Sequence, residues 1–145
     1  MKLLNPDFES KVRASFEHNG FSKMGGVLTQ VKLGFVECEL PFSEYAQQQH
    51  RLFHGSIVAM AADVASGYAS YTALPPDEEC VSAEFKVNFL YPARGDKLIA
   101  RGSVIKVGRT LVIAEATVSI VRDGEETDCA LMLHTCARVR HLKST

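Results

Sequence analysis

The chain has 145 residues, 46% of them apolar and 23% charged, with a formal net charge of −1. This is the composition of an ordinary globular protein long enough to bury a core. The charge balance argues against a nucleic-acid partner, which needs a concentrated Lys/Arg surface, and no run approaches the ~20 apolar residues of a membrane-crossing helix.

The opening Met1-Lys2-Leu3-Leu4-Asn5-Pro6 has too short an apolar run for a signal peptide. Asn5-Pro6-Asp7 is a helix-start signal, with Asn5 as cap and Pro6 at the first helical position. It predicts an N-terminal helix over about 6–18, carrying Phe8, Val12 and Phe16 on one stripe and ending near Asn19-Gly20. From Gly25 to Phe42 the pattern is strand-like, with Gly34 marking a bend or bulge. Residues 43–53 are polar and irregular, a loop.

His54-Gly55 then opens an apolar, Ala-rich run that predicts a helix from about Gly55 to Tyr71, buried on most sides and stopped by Pro75-Pro76-Asp77. Asp63 lies in its middle, the only acidic or basic side chain between His54 and Asp77. Burying an unpaired carboxylate costs several kcal/mol, which makes Asp63 the first candidate for chemistry.

Strands follow. From Cys80 to Tyr91 the pattern alternates, with Val81, Ala83, Phe85, Val87 and Phe89 on one face and Ser82, Glu84, Lys86 and Asn88 on the other. Two more strands, Leu98–Val107 and Thr110–Val121, join at Gly108-Arg109. Asp123-Gly124 is a hairpin signal leading into a last strand over Thr127–Val139, and the tail from Arg140 to Thr145 is expected to fray. One helix too apolar for the surface, followed by four strands in meander, describes an α+β fold: a curved antiparallel sheet around one long helix, in a single domain over 1–145 with its core at about 20–140. Cys38, Cys80, Cys129 and Cys136 lack zinc-site spacing, so reduced thiols and a cytoplasmic location are expected. His50 and His54 are four residues apart, but with only two ligands no metal is expected.

Several segments together resemble the hotdog-fold acyl-CoA thioesterases of the PaaI-like group. They are His54-Gly55, the acid nine positions after that His, the run Val87-Asn88-Phe89-Leu90-Tyr91-Pro92-Ala93-Arg94-Gly95-Asp96, and Gly108-Arg109-Thr110-Leu111. The resemblance implies a site in which Gln48, six residues before His54, bonds the thioester. It further implies that Ser82 orients water beside Asp63, and that Arg109 meets the phosphates of coenzyme A, which belongs to the substrate; no cofactor is implied. Such relatives commonly read His-Gly-Gly; here the third residue is Ser56, which is expected to cap the helix and stands where the thioester approaches.

Hydrolysis of a thioester needs a group that attacks or activates water, for which Asp63 stands ready, and donors for the developing oxyanion. The Gly55 N–H at a helix N-terminus suits the second task, with His54 ordering the loop that positions it. Along a helix Gly55 and Asp63, eight residues apart, are separated by ~12 Å, whereas both groups must come within ~3 Å of the reacting atoms. A two-fold homodimer that sets Gly55 of one protomer against Asp63 of the other resolves this, and two such dimers are expected to join into a tetramer through sheets or helices. General-base and anhydride routes both remain open. Met60, Phe53, Tyr68, Tyr71 and Phe89 are expected to line an acyl pocket suited to aromatic, phenylacetyl-like or medium-chain groups. Two other readings compete: a non-catalytic acyl-CoA sensor, and an acyl hydratase or dehydratase, whose signatures are absent from the chain.

Overall fold

The computed structural model describes residues 1–140. The N-cap of the first helix is Asp7 rather than Asn5, so Pro6 lies ahead of the helix; the Asn5 side-chain oxygen accepts from the Asp7 N–H at 3.0 Å. Helix α1 then runs Phe8–Glu17 and buries Val12 and Phe16. A short helix not expected from the sequence, α2 (Gly20–Lys23), is capped by Asn19 and buries Phe21. The stretch read as one bent strand is a hairpin, β1 (Val27–Lys32) and β2 (Phe35–Pro41). Gly34 turns the chain at φ 74°, a conformation glycine adopts freely. The tip is tied down: the Gly34 N–H donates to Thr72 Oγ1 at 2.7 Å, and the Val104 N–H donates to the Gly34 carbonyl at 2.9 Å.

The central helix α3 runs Gly55–Thr72, close to expectation. After it come β3 (Glu78–Phe89), β4 (Lys97–Val107), β5 (Leu111–Arg122) and β6 (Glu125–Arg140). The six strands form one antiparallel sheet in the order β1-β2-β4-β5-β6-β3, wrapped on α3 in the hotdog arrangement. The expected four-strand meander is therefore only a three-strand one. Sequence neighbours usually pair, but β2 leaves an edge that β4 takes, and β3 is placed on the far side of β6. Asp123-Gly124 makes the expected tight turn, both residues at positive φ. Arg140 closes β6; the rest of the tail read as frayed, 141–145, lies outside the described residues. No helix among the described residues is long and apolar enough to cross a membrane.

Small residues decide how deeply α3 sits. Ala61, Ala62, Ala65 and Ala69 are fully buried. Gly102 on β4 faces Ala65 so closely that a Cβ there would come within 2.3 Å of the Ala65 carbonyl carbon. Both sides of this contact are backbone, so neither can swing away. Gly102→Ala is expected to lower the unfolding free energy by about 1–3 kcal/mol, read as a lower urea midpoint; an unchanged midpoint would mean that the helix is not seated this tightly.

One irregularity positions the site. Along β3 and β6, Ser82 pairs with Cys136 and Glu84 with Thr135, so Ala83 is an extra residue, a β-bulge. The bulge breaks the single alternation read from the sequence. Before it Cys80 and Ser82 face the helix, with Cys80 Sγ directed at the Gly67 carbonyl; after it Phe85 and Val87 do, with Phe85 edge-on to the buried His134 ring. Ser82 and Val87, assigned to opposite faces by period two, share the inner one.

Candidate active site

At the start of α3, His54 is extended (φ −61°, ψ 138°) and caps the helix with its ring. His54 Nδ1 accepts the Ser56 N–H at 3.1 Å and lies 2.7 Å from Ser56 Oγ. The cap is thus His54, with Ser56 bonded to it, rather than Ser56 as expected. The N–H groups of Ile57 and Val58 donate to the His54 carbonyl at 2.9 and 3.1 Å. Of the four leading N–H groups, Gly55's has no partner among the described residues. It is an unspent donor at the positive end of a helix.

The loop before it is well anchored. The His54 N–H bonds the Ala46 carbonyl at 2.8 Å, and the Phe53 N–H bonds the Ala93 carbonyl at 2.9 Å. Gln48 is half-buried, its backbone N–H donating to the Leu52 carbonyl at 2.9 Å while its side-chain oxygen accepts the His50 N–H. The exposed ring of Phe89 stands over Gly55, 3.4 Å from where a Cβ would be.

Asp63 lies two turns further on. It is not sealed in the chain, its side chain being 35% exposed. Ser82 Oγ donates to Asp63 Oδ1 at 2.7 Å, and His134 Nε2 lies 3.4 Å from the same oxygen. Oδ2 has no protein partner among the described residues. Asp63 lines a cavity of about 250 Å³ with Tyr68, Tyr71, Ser82, Cys80 and Cys136. At its other end the Tyr68 hydroxyl meets Ser15 Oγ at 3.3 Å and Asn19 Nδ2 at 3.4 Å. Of the expected acyl wall only Tyr68 and Tyr71 are here. Phe53 is core, stacked edge-on against Phe42, and Phe89 is out by Gly55. Met60 sits with its methyl 3.6 Å from the Cβ position of Gly20, away from this cavity.

His134 was not anticipated, although a lone polar residue in the inward row Ala130, Met132, His134, Cys136 was a signal. It is fully buried, with Nδ1 2.8 Å from Ser66 Oγ, which also reaches the Ala62 carbonyl at 2.7 Å. Burial opposes its protonation. The hydrogen bond and charge of Cys136, then Asp63 and Glu84, outweigh this and raise its pKa above 6.5. A proton bound more tightly in the folded state stabilises that state fully below 6.5, and the gain fades as pH rises through the folded value. Relative to His134→Gln, the parent's urea midpoint is expected to drop as pH rises through that window; parallel curves would remove this role.

Arg109 is exposed on the β4–β5 turn and does not line the cavity. Its turn is fixed by Arg138, which donates to the Gly108 carbonyl at 2.6 Å while paired with Glu78. The chain thus carries two separate groups: Gly55 with His54, Ser56 and Gln48 at the helix start, and Asp63 with Ser82 and His134 beside the cavity. The eight-step helical separation of Gly55 and Asp63 keeps them ~12 Å apart.

Residues 50–127 match the sequence model of the thioesterase superfamily. A Halobacterium salinarum protein named as an esterase is 40% identical over 123 residues, 79% of this chain and 81% of its own. The crystal structure of a thioesterase family protein from Silicibacter pomeroyi superposes with a TM-score of 0.90 at 36% identity, covering 92% of this chain and 99% of that one. The E. coli PaaI protein from the phenylacetic acid degradation operon shares the fold, with a TM-score of 0.81 at 20% identity over 94% of this chain and 96% of its own.

Proposed function

The chain belongs to the thioesterase superfamily, and we propose on that footing that it hydrolyses an acyl-coenzyme A thioester at a site shared between two copies of itself. The observation that carries this reading is the way Asp63 is held. Two partners fix one carboxylate oxygen and leave the other without a protein partner beside a cavity, the posture of a base waiting for a proton. Water between Oδ2 and Ser82 attacks the thioester carbonyl as Oδ2 takes its proton. The oxygen becomes negative and is received by the unpartnered Gly55 N–H of the second copy, and the thiolate of coenzyme A departs.

The second copy is supported by geometry. Neither group can reach the other's substrate along one helix. Strand β3 is an edge of the described sheet, and it exposes Val81, Phe85 and Phe89. An open edge with apolar side chains is a template for pairing with another chain, and pairing about a two-fold axis brings two antiparallel copies of α3 together. Arg109, exposed and on a pinned turn, suits a phosphate of coenzyme A. The four free cysteines suit the reducing cytoplasm.

The test is steady-state hydrolysis of a panel of aromatic and straight-chain acyl-CoA esters, followed through released thiol. Turnover of at least one ester is expected. Tight binding of acyl-CoA with no turnover of any of them would replace this reading with that of a binding protein.

A further inference from the structure

Two thiols in the cavity wall are not used by this mechanism. Cys80 and Ser82 alternate on the inner face of β3, Cys136 lies on β6 opposite Ser82, and Cys80 is thus its diagonal neighbour on the same face. Both residues line the cavity at Asp63, and Cys136 Sγ is 3.5 Å from His134 Nε2. The other two cysteines differ. Cys38 and Cys129 are buried away from the cavity, and burial pushes their thiols up to about 12 and about 11. The Cys136 thiol is brought down, first by its interaction with Cys80 and then, against burial, by His134. Cys80 is correspondingly pushed up, by the same interaction and by burial. Thiolate character with access to a cavity is what separates reactive cysteines from inert ones.

We propose that Cys136 and Cys80 form an oxidative modification site, Cys136 reacting with a small hydroperoxide and Cys80 resolving the product into a disulfide that disables the neighbouring Asp63–Ser82 pair. In the first step the Cys136 thiolate attacks one peroxide oxygen. The S–O bond forms, the O–O bond breaks, and the departing oxygen leaves as water or alcohol with the proton of His134; sulfur is oxidised by two electrons and the peroxide reduced. In the second step the Cys80 sulfur attacks the sulfenic sulfur. The S–S bond forms, and the hydroxyl leaves as water with the Cys80 proton.

Closure reaches the site through strand geometry. Diagonal residues on paired antiparallel strands stand roughly 7–8 Å apart, while a disulfide holds its Cα atoms roughly 4.4–6.8 Å apart. Bridging therefore draws Cys80 toward β6 and away from the Gly67 carbonyl it now faces at 3.4 Å. Ser82, two residues along and next to the bulge, moves with it. A displacement of ~1 Å at reacting groups costs on the order of 100-fold in rate.

The experiment treats the purified full chain with hydrogen peroxide and maps its thiols by peptide mass spectrometry, alongside activity before and after treatment. The parent is expected to lose two of its four free thiols, to yield a Cys80–Cys136 linked peptide pair, and to lose activity on the order of 100-fold, restored by dithiothreitol. In Cys80→Ser, Cys136 is expected to stop at a sulfenic acid trapped by dimedone; in Cys136→Ser, Cys80 is expected to stay reduced. Oxidation falling equally on Cys38 and Cys129, or no linked pair in the parent, overturns the proposal, as does full activity of the linked form. The activity arm rests on the thioesterase reading. If the untreated chain turns over no thioester, that reading fails by itself, while the thiol map still decides the modification site.

Discussion

Replacing Asp63 with Asn is expected to lower kcat for thioester hydrolysis by about 10²–10⁴-fold, the range for losing a positioned base, with folding stability nearly unchanged. Asparagine has the same shape, so its oxygen can still accept the Ser82 hydroxyl that now bonds Oδ1 at 2.7 Å. What changes is the other arm. The oxygen that has no protein partner becomes an amide nitrogen, which donates hydrogen bonds and cannot take a proton from water. The two readouts belong together: a urea midpoint close to the parent's and a collapsed kcat locate the loss in the chemistry. Near-parent rates would remove Asp63 from the mechanism whatever its position.

The second large effect concerns Gly55 and the proposed sharing of the site between two copies. Proline at the first position of a helix keeps the backbone and deletes only the N–H. The residue before it is already in the extended conformation that precedes proline easily, His54 lying at φ −61°, ψ 138°. Gly55→Pro thus removes the one leading N–H without a partner and leaves the His54–Ser56 cap in place. Activity is expected to fall by about 10²–10³-fold, as for losing one oxyanion donor. Co-expression of this variant with Asp63→Asn then asks where the site lies. Each mixed dimer rebuilds one intact site from the Gly55 of one chain and the Asp63 of the other, and its second site carries both defects. Random pairing makes half of the dimers mixed, so about a quarter of parent activity returns. If each site lay within one chain, every chain would carry one lesion and the mixture would stay inactive.

Much of this was legible in the residues. The limits of α3 and the positions of Gly55 and Asp63 follow from one apolar run bounded by His54 and Pro75-Pro76, because a helix buried on most sides leaves few other arrangements. Strand order was not legible, since local pattern says nothing about which edge is still open when β4 arrives. Period-two reading also gave Ser82 the wrong face, because an unpaired residue leaves no mark in an alternation of small and polar side chains. His134 was concealed by success elsewhere: β6 alternates so well that its one polar inward residue passed as part of the strand. Met60 was placed by hydrophobicity, and the fold keeps it out of the Asp63 cavity; Gln48, placed by resemblance, lies in the loop ahead of Gly55.

The irregularity in β3 has a consequence for chain length. Between Ser82 and Phe85, two residues that both face inward, the strand holds Ala83 and Glu84 where a regular ladder needs only one residue. Deleting Ala83 therefore yields an unbroken alternation with Ser82 and Phe85 both still pointing at α3. The same deletion on either side of this pair turns half the strand inside out. A Δ83 protein is expected to fold with its apolar face buried, whereas a Δ87 protein is not, as thermal unfolding of the two would show. β3 can thus lose one residue at this point with its faces preserved, and this point lies beside the Ser82–Asp63 hydrogen bond.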